Sequence, residues 1–373
     1  MRRVGVEEEF LIVDSARGHA VALGELQERL ADDGGLCSEM KQEQIETNTL
    51  PRTDLADLAR DITERRRSAD RIARIAGARV AALATSPLPV QSTVTPGDRY
   101  DRMLARFGLT AMEQLTCGCH VHVEVAGDEE AVAVLDRIRV WLPVLMAITS
   151  NSPFWNGLDT SYASYRSQAW NRWPTAGPCE IFGSARAYHA HVEDALKSGV
   201  PLDRGQIYFD ARLSDRHPTV EIRVADVCMF ADDAVLLAAL TRGLVETAAR
   251  EWRQGVKPAP ASAMQLRLAA WQAGRFGLEA DLIDPYTAEP RPAREVVLAL
   301  LEHVRVVLSE QGELGMVETL LLQLLERGTG TARQRASYAS TGNLCDVITD
   351  AVHATSLPAT DLRASQPRLL AGT

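Results

Sequence analysis

Residues 4–12, Val4-Gly5-Val6-Glu7-Glu8-Glu9-Phe10-Leu11-Ile12, set three acids in succession inside an apolar, strand-forming run. Side chains alternate faces along a strand, so Glu7 and Glu9 point together, about 7 Å apart, while Val6, Glu8 and Phe10 point the other way. The apolar flanks call for a buried strand, and closely spaced buried carboxylates repel unless protons or a cation intervene. A divalent ion satisfies that demand. An edge strand whose acids face water satisfies it too, so this stretch alone leaves both readings open.

Three further segments carry polar groups at strand spacing. In Gln44-Ile45-Glu46-Thr47-Asn48, closed by Pro51, Glu46 can meet the first pair; Glu39, seven residues earlier, would fall on the opposite face of a continuous strand and needs an intervening turn or bulge. Residues 116–125 alternate so strictly that His120, His122 and Glu124 share one face opposite Val121, Val123 and Val125, and Gly118 just upstream admits a close approach. In 218–226, Glu221 and Arg223 share a face, and the preceding strand brings Tyr208, Asp210 and Arg212 together. Carboxylates, a histidine and arginines on strand faces suit an oxygen-rich cage for Mg²⁺ or Mn²⁺, and hence phosphate chemistry. His120, His122 and a Glu also suit zinc hydrolysis, although H-E-x-x-H is missing.

Composition narrows the partners. The net charge is -10, which gives no electrostatic case for nucleic acid or an acidic membrane. Lys41, Lys197 and Lys257 are the chain's lysines and none follows a glycine, so no P-loop is present. The opening residues run into acids where a signal peptide needs roughly 7–15 apolar residues, and no apolar run approaches the ~20 that span a bilayer. The expectation is a cytoplasmic protein. The six cysteines, at 37, 117, 119, 179, 228 and 345, form no C-x-x-C pair and are given no chemistry.

Periodicity predicts strands at 2–13, 116–126, 206–213 and 218–226, a long helix over 53–84, and a helix over 128–150 kinked or ended near Pro143. Residues 151–184, rich in Trp, Pro and Gly, read as a long functional loop. Helices are expected at 231–254, 263–275, 292–311, 315–327 and 343–355, with Pro-rich breaks at 257–260 and 285–292. With no repeat or long linker evident, the reading is one α+β domain over 1–373 with a helical C-terminal half.

Six stretches, in order, resemble the carboxylate-amine ligases, or type 2 glutamate-cysteine ligases. They are Gly5-Val6-Glu7-Glu8-Glu9-Phe10, Ile45-Glu46-Thr47-Asn48-Thr49, Gly118-Cys119-His120-Val121-His122-Val123, Asp159 to Arg166, Arg172 to Pro178, and Thr219-Val220-Glu221-Ile222-Arg223-Val224. The resemblance covers roughly residues 4–226 and implies a glutamine synthetase-like fold, an antiparallel sheet forming an active-site funnel. It implies ATP-dependent amide formation through an acyl phosphate, with glutamate and cysteine as the substrates that named the family. By position it implies Glu7, Glu9, Glu39, Glu46, His120 and Glu221 as Mg²⁺ or Mn²⁺ ligands, and Arg223 at the phosphates beside Glu221, with Arg212 and Tyr208 on the ATP side. The loop with Tyr162, Tyr165, Arg166, Trp170, Arg172 and Trp173 would cover the amino acid, Arg166 clamping its carboxylate. Small-molecule acid and amine substrates are thus the expected partners, with a homo-oligomer open. A guanidino kinase and a nucleotide-free metallohydrolase are the competing functions.

Overall fold

The structure, a computed structural model, describes residues 1–24 and 35–361. In chain order the first half comprises β1 (Val4–Asp14), β2 (Leu36–Ser38), β3 (Gln44–Asn48), α1 (Leu55–Ile75), β4 (Ala78–Ala81), α2 (Asp98–Phe107), α3 (Leu109–Glu113), β5 (Gly118–Glu124), α4 (Asp128–Ile138) and α5 (Leu142–Ile148). There follow β6 (Phe154–Trp155), β7 (Leu158–Asp159), α6 (Tyr165–Trp170), α7 (Ala185–Lys197), β8 (Ala211–Leu213) and β9 (Thr219–Asp226). The remainder is helical apart from one small hairpin: α8 (Ala231–Arg253), α9 (Ala263–Phe276), β10 (Asp281–Ile283), β11 (Pro290–Pro292), α10 (Ala293–Glu310), α11 (Leu314–Arg327), α12 (Gly330–Thr341) and α13 (Leu344–Ser356).

The main sheet is antiparallel, in the order β2-β3-β1-β5-β9-β8, with β4 also pairing β1. Its two faces differ as the alternation requires. Val4, Val6, Val121, Val123, Val220 and Ile222 enter a core with Leu55, Leu58 and Ile62 of α1 and Leu236, Leu237 and Leu240 of α8. Burying these side chains supplies the main driving force, roughly 1.5–3 kcal/mol for each large aliphatic group. Glu8 lies on this apolar side and is buried, and Arg66 of α1 bonds both its oxygens while donating to the carbonyls of Cys228 and Met229. The opposite face carries Glu7, Glu9, Glu46, His122 and Glu221.

Several expected boundaries move. The helix expected over 53–84 is α1, which stops at Ile75 because Gly77 takes φ +70° and residues 78–81 pair with β1 from Leu11↔Ala81 to Asp14↔Ala78. Alanine favours helix locally, so the pairing with β1 overrides the propensity. The 128–150 helix is two helices, with Pro143 in the first turn of α5, where its missing N–H costs nothing. The 206–213 strand shrinks to β8, leaving Asp210 off the ladder, lining a small cavity with Asp136, Arg139 and Cys179. Helix α12 escapes periodicity because its sequence, GTARQRASYAST, has no apolar stripe; tertiary bonds such as Gln334 to Asn151 hold it. Among the described residues, no helix is long and apolar enough to cross a membrane.

Candidate active site

Register assembles the site. Glu7 stands opposite Asn48 on one side and His120 on the other; Glu9 stands opposite Glu46; His122 faces Glu221, which in turn faces Arg212. The residues between β2 and β3 turn the chain, so Glu39 joins Glu46 despite its odd offset. Two groups result. Glu7, His122 and Glu221 bring ligand atoms within 4.8 Å of one another, and so do Glu9, Glu39 and Glu46.

The electrostatics of the groups differ. Burial works to raise the Glu7 carboxyl, but hydrogen bonding to His120 and His122 outweighs it and holds Glu7 well below the usual carboxylate range. Its oxygens lie 3.4 Å from His120 Nδ1 and 3.2 Å from His122 Nε2. Glu221 is likewise held low, burial being overcome by Arg223 and Arg212, with Arg212 Nε 2.7 Å from its Oε2. In the second group, no cation among the described residues offsets burial at Glu39 and Glu46. Burial and then the charge of Glu9 push Glu39 up to about 7, and burial with the Glu39 charge pushes Glu46 well above its ordinary value. Three carboxylates with two forced toward neutrality form a donor set that a hard divalent cation fits, since its charge would replace the protons. The Glu7, His122, Glu221 group fits one as well: Thr219 Oγ1, 3.0 Å from His122 Nδ1, orients the ring so that Nε2 faces Glu7.

Beside these groups two arginines converge on one indole. The guanidinium carbons of Arg166 and Arg223 stand 5.5 and 5.7 Å from the Trp170 ring centroid, and Arg223 is also 5.9 Å from the Tyr208 ring. Arg223 pairs with Glu221. Arg166 is 2% exposed, and its hydrogen-bond acceptor is the carbonyl of Arg223, 3.4 Å from both Nη atoms. The Nε of each arginine is buried and has no partner among the described residues. Gly118 makes room: a Cβ there would fall 2.3 Å from Arg166 Nη2, and its own N–H donates to Glu9 Oε2 at 2.6 Å. Buried guanidinium donors left this poorly satisfied are suited to an anionic ligand.

The structure thus brings Glu7, Glu9, Glu39, Glu46, Glu221, Arg223, Arg212, Tyr208, Arg166 and Trp170 into one region. His120 is adjacent rather than grouped: it is buried, burial and then Arg223 push its pKa down, and its Nε2 has no partner among the described residues. His122 takes the place in the group; strand alternation put both histidines on the face, but only the register with β9 separates them. Tyr162 and Tyr165 pack with each other and with Trp271 and Trp155 respectively, apart from the arginines. Arg172 pairs with Glu113 at 2.6 Å near the surface, and Trp173 is buried, its Nε1 donating to Gln114.

A family model described as Glutamate-cysteine ligase family 2 matches residues 3–350. Among curated relatives, a Streptomyces avermitilis protein provisionally named glutamate–cysteine ligase 2-1 is 51% identical over 360 residues, covering 95% of this chain and 99% of that one. A Paenarthrobacter aurescens protein of the same provisional name is 50% identical over 366 residues, covering 95% of each. Among solved structures, a glutamate–cysteine ligase from Francisella tularensis in complex with AMP superposes with a TM-score of 0.68 at 13% identity, over 98% of this chain and 89% of that one. A bifunctional glutathione synthetase from Pasteurella multocida gives a TM-score of 0.72 at 14% identity over 95% of this chain, which spans 52% of that longer protein. The α+β fold with an antiparallel sheet expected from the sequence agrees with these likenesses.

Proposed function

The chain belongs to the glutamate–cysteine ligase family 2, and from that premise we propose that it is an ATP-dependent carboxylate-amine ligase joining glutamate, or a closely related amino acid, to an amine such as cysteine. The observation that carries this reading is the convergence of two carboxylate groups and two under-satisfied arginines on one sheet face in a chain whose family match is nearly full length. Residues 1–373 are read as one catalytic unit.

A carboxylate is a poor nucleophile toward an anionic γ-phosphate, so the site must neutralise charge and align the two partners. We assign Glu9, Glu39 and Glu46, and Glu7, His122 and Glu221, to holding Mg²⁺ or Mn²⁺, with His120 at the edge of the second set. Bound there, the ions would neutralise phosphate oxygens. Arg223 meets the γ-phosphoryl group and Arg166 the amino acid carboxylate, while Arg212 keeps Glu221 ionised and in place. Trp170 and Tyr208 form the floor on which the two guanidinium groups rest, Tyr208 lying on the ATP side. The substrate carboxylate oxygen bonds to the γ-phosphorus as the bond to ADP breaks; the amine nitrogen then attacks the acyl carbon and expels phosphate. An enzyme consuming ATP and free amino acids works in the cytoplasm, and its partners are small molecules.

ADP release measured across a panel of amino acids and amines tests the reading. Turnover should require Mg²⁺ or Mn²⁺ and an amino acid carboxylate, give ADP and phosphate in step with amide, and yield a hydroxamate when hydroxylamine replaces the amine. AMP with pyrophosphate, a phosphorylated product without amide, or metal-dependent hydrolysis without nucleotide would each overturn it.

A further inference from the structure

Asp226, the last residue of β9, is buried and lies three residues beyond Arg223. Its carboxylate accepts three hydrogen bonds from the segments leading into α6: Asn151 N at 2.8 Å and Ser152 Oγ at 2.7 Å on one oxygen, and Ser164 Oγ at 2.8 Å on the other. Each serine commits its hydroxyl proton to Asp226, so its lone pairs are left for the start of α6. Ser152 Oγ accepts from Arg166 N at 3.0 Å, and Ser164 Oγ, the N-cap, accepts from Ser167 N at 3.4 Å. The helix these bonds begin has six residues, too few to persist on its own hydrogen bonds, yet it carries both Arg166 and Trp170. Strand β9 therefore holds Arg166 at two points, its backbone N–H through Asp226 and Ser152, and its guanidinium through the Arg223 carbonyl. The slot beside Gly118 leaves that guanidinium little room to be elsewhere.

We propose that Asp226 is a positioning residue that sets Arg166 against its anionic ligand, acting through two serine hydroxyls and never touching the ligand. The identity of the anion, an amino acid carboxylate, rests on the ligase reading; the positioning rests on geometry. A short functional helix is in this way tied to the same strand that supplies Arg223, so the spacing of the two arginines is fixed by one element.

Hydrogen exchange of the segment 164–171 and steady-state kinetics with L-glutamate test this together. Asp226→Asn puts an amide NH₂ against at least one of the three donors. Exchange in α6 should then quicken, and the KM for glutamate should rise about five- to tenfold, the cost of a lost cap, with KM for ATP within twofold. Combining it with Arg166→Lys should add little to the worse single variant, since both act through one group. Should Asp226→Asn fail to fold, Ser164→Ala should reproduce the pattern and Ser164→Thr should keep the unmodified behaviour. Unchanged exchange overturns the positioning whatever the activity, as do fully multiplicative effects or equal rises in both KM values. Absence of glutamate-dependent ADP release from the unmodified protein counts against the ligase reading instead, and the exchange result still decides the clamp.

Discussion

Arg66 of α1 bonds both oxygens of Glu8 on the face of β1 opposite Glu7 and Glu9. Three consecutive acids of one strand thus do two jobs, and substitution separates them. Glu8→Gln strands a buried guanidinium and should cost about 3 kcal/mol of stability, as breaking buried ion pairs does, while leaving Mn²⁺ affinity of the folded protein unchanged. Glu46→Gln should do the reverse, holding or raising the stability of the metal-free protein by removing repulsion from Glu39, and weakening Mn²⁺. Chemical denaturation and an Mn²⁺ titration on the two variants distinguish these outcomes.

The raised carboxyls make stability depend on pH and on metal together. Glu39, at about 7, binds its proton more tightly in the folded state than its ordinary value of 4.5 allows in the unfolded one. Between those values the folded state holds more protons, so stability should fall as pH rises from about 5 to 8 in EDTA. Asp210, also near 7, and Asp233, near 6, contribute the same slope from burial elsewhere. Excess Mg²⁺ should remove the share belonging to Glu39 and Glu46 and leave that of Asp210 and Asp233. A melting temperature with the same pH slope in EDTA and in Mg²⁺ would contradict this.

His122 and His120 should respond differently to removal of the ring. His122→Ala deletes a member of the Glu7, His122, Glu221 group, and Thr219→Val, which frees His122 Nδ1, should weaken Mn²⁺ about tenfold as loss of an orienting partner does. His120→Ala should weaken it less than His122→Ala. Isothermal titration with Mn²⁺ gives the order, and the opposite order would favour His120 as the ligand.

Arg223 and Arg166 should split between kcat and KM. With Arg223 at the γ-phosphoryl group as proposed, Arg223→Lys would lose planar contact with a group whose charge redistributes during reaction, so it should lower kcat more than it raises KM for ATP. Arg166→Lys should raise KM for the amino acid and leave that for ATP nearly unchanged. Initial-rate kinetics varying each substrate in turn decides between these patterns.

Arg172 provides the contrast. Its partner Glu113 is an exposed carboxylate, and surface pairs of this kind contribute about 0–1 kcal/mol. Arg172→Ala should therefore leave stability and both KM values within about twofold; a large rise in amino acid KM would return it to the substrate site.

Alternation along a strand is local geometry, so the sequence by itself determined that Glu7 and Glu9 share a face opposite Glu8, and that Glu221 stands beside Arg223. The helical character of 231–327 was legible for the same reason, since a repeating apolar stripe is a property of neighbours in the chain. Which strand lies beside which is not local. The grouping of His122, rather than His120, with Glu7 and Glu221, the meeting of Glu39 with Glu46, and the division of the carboxylates into two groups follow from the register of β5 against β9 and the turn between β2 and β3. The segment from 151 to 184 is marked by composition but reads as a loop where the structure has β6, β7 and α6, and composition could not say that Trp170 faces Arg166 and Arg223 while Tyr162 and Tyr165 pack elsewhere. The place of Trp170 depends on the bonds of Asp226 to the start of α6 and on the Gly118 slot beside Arg166, because hydrogen bonds and packing between residues distant in sequence exist only once the sheet has formed.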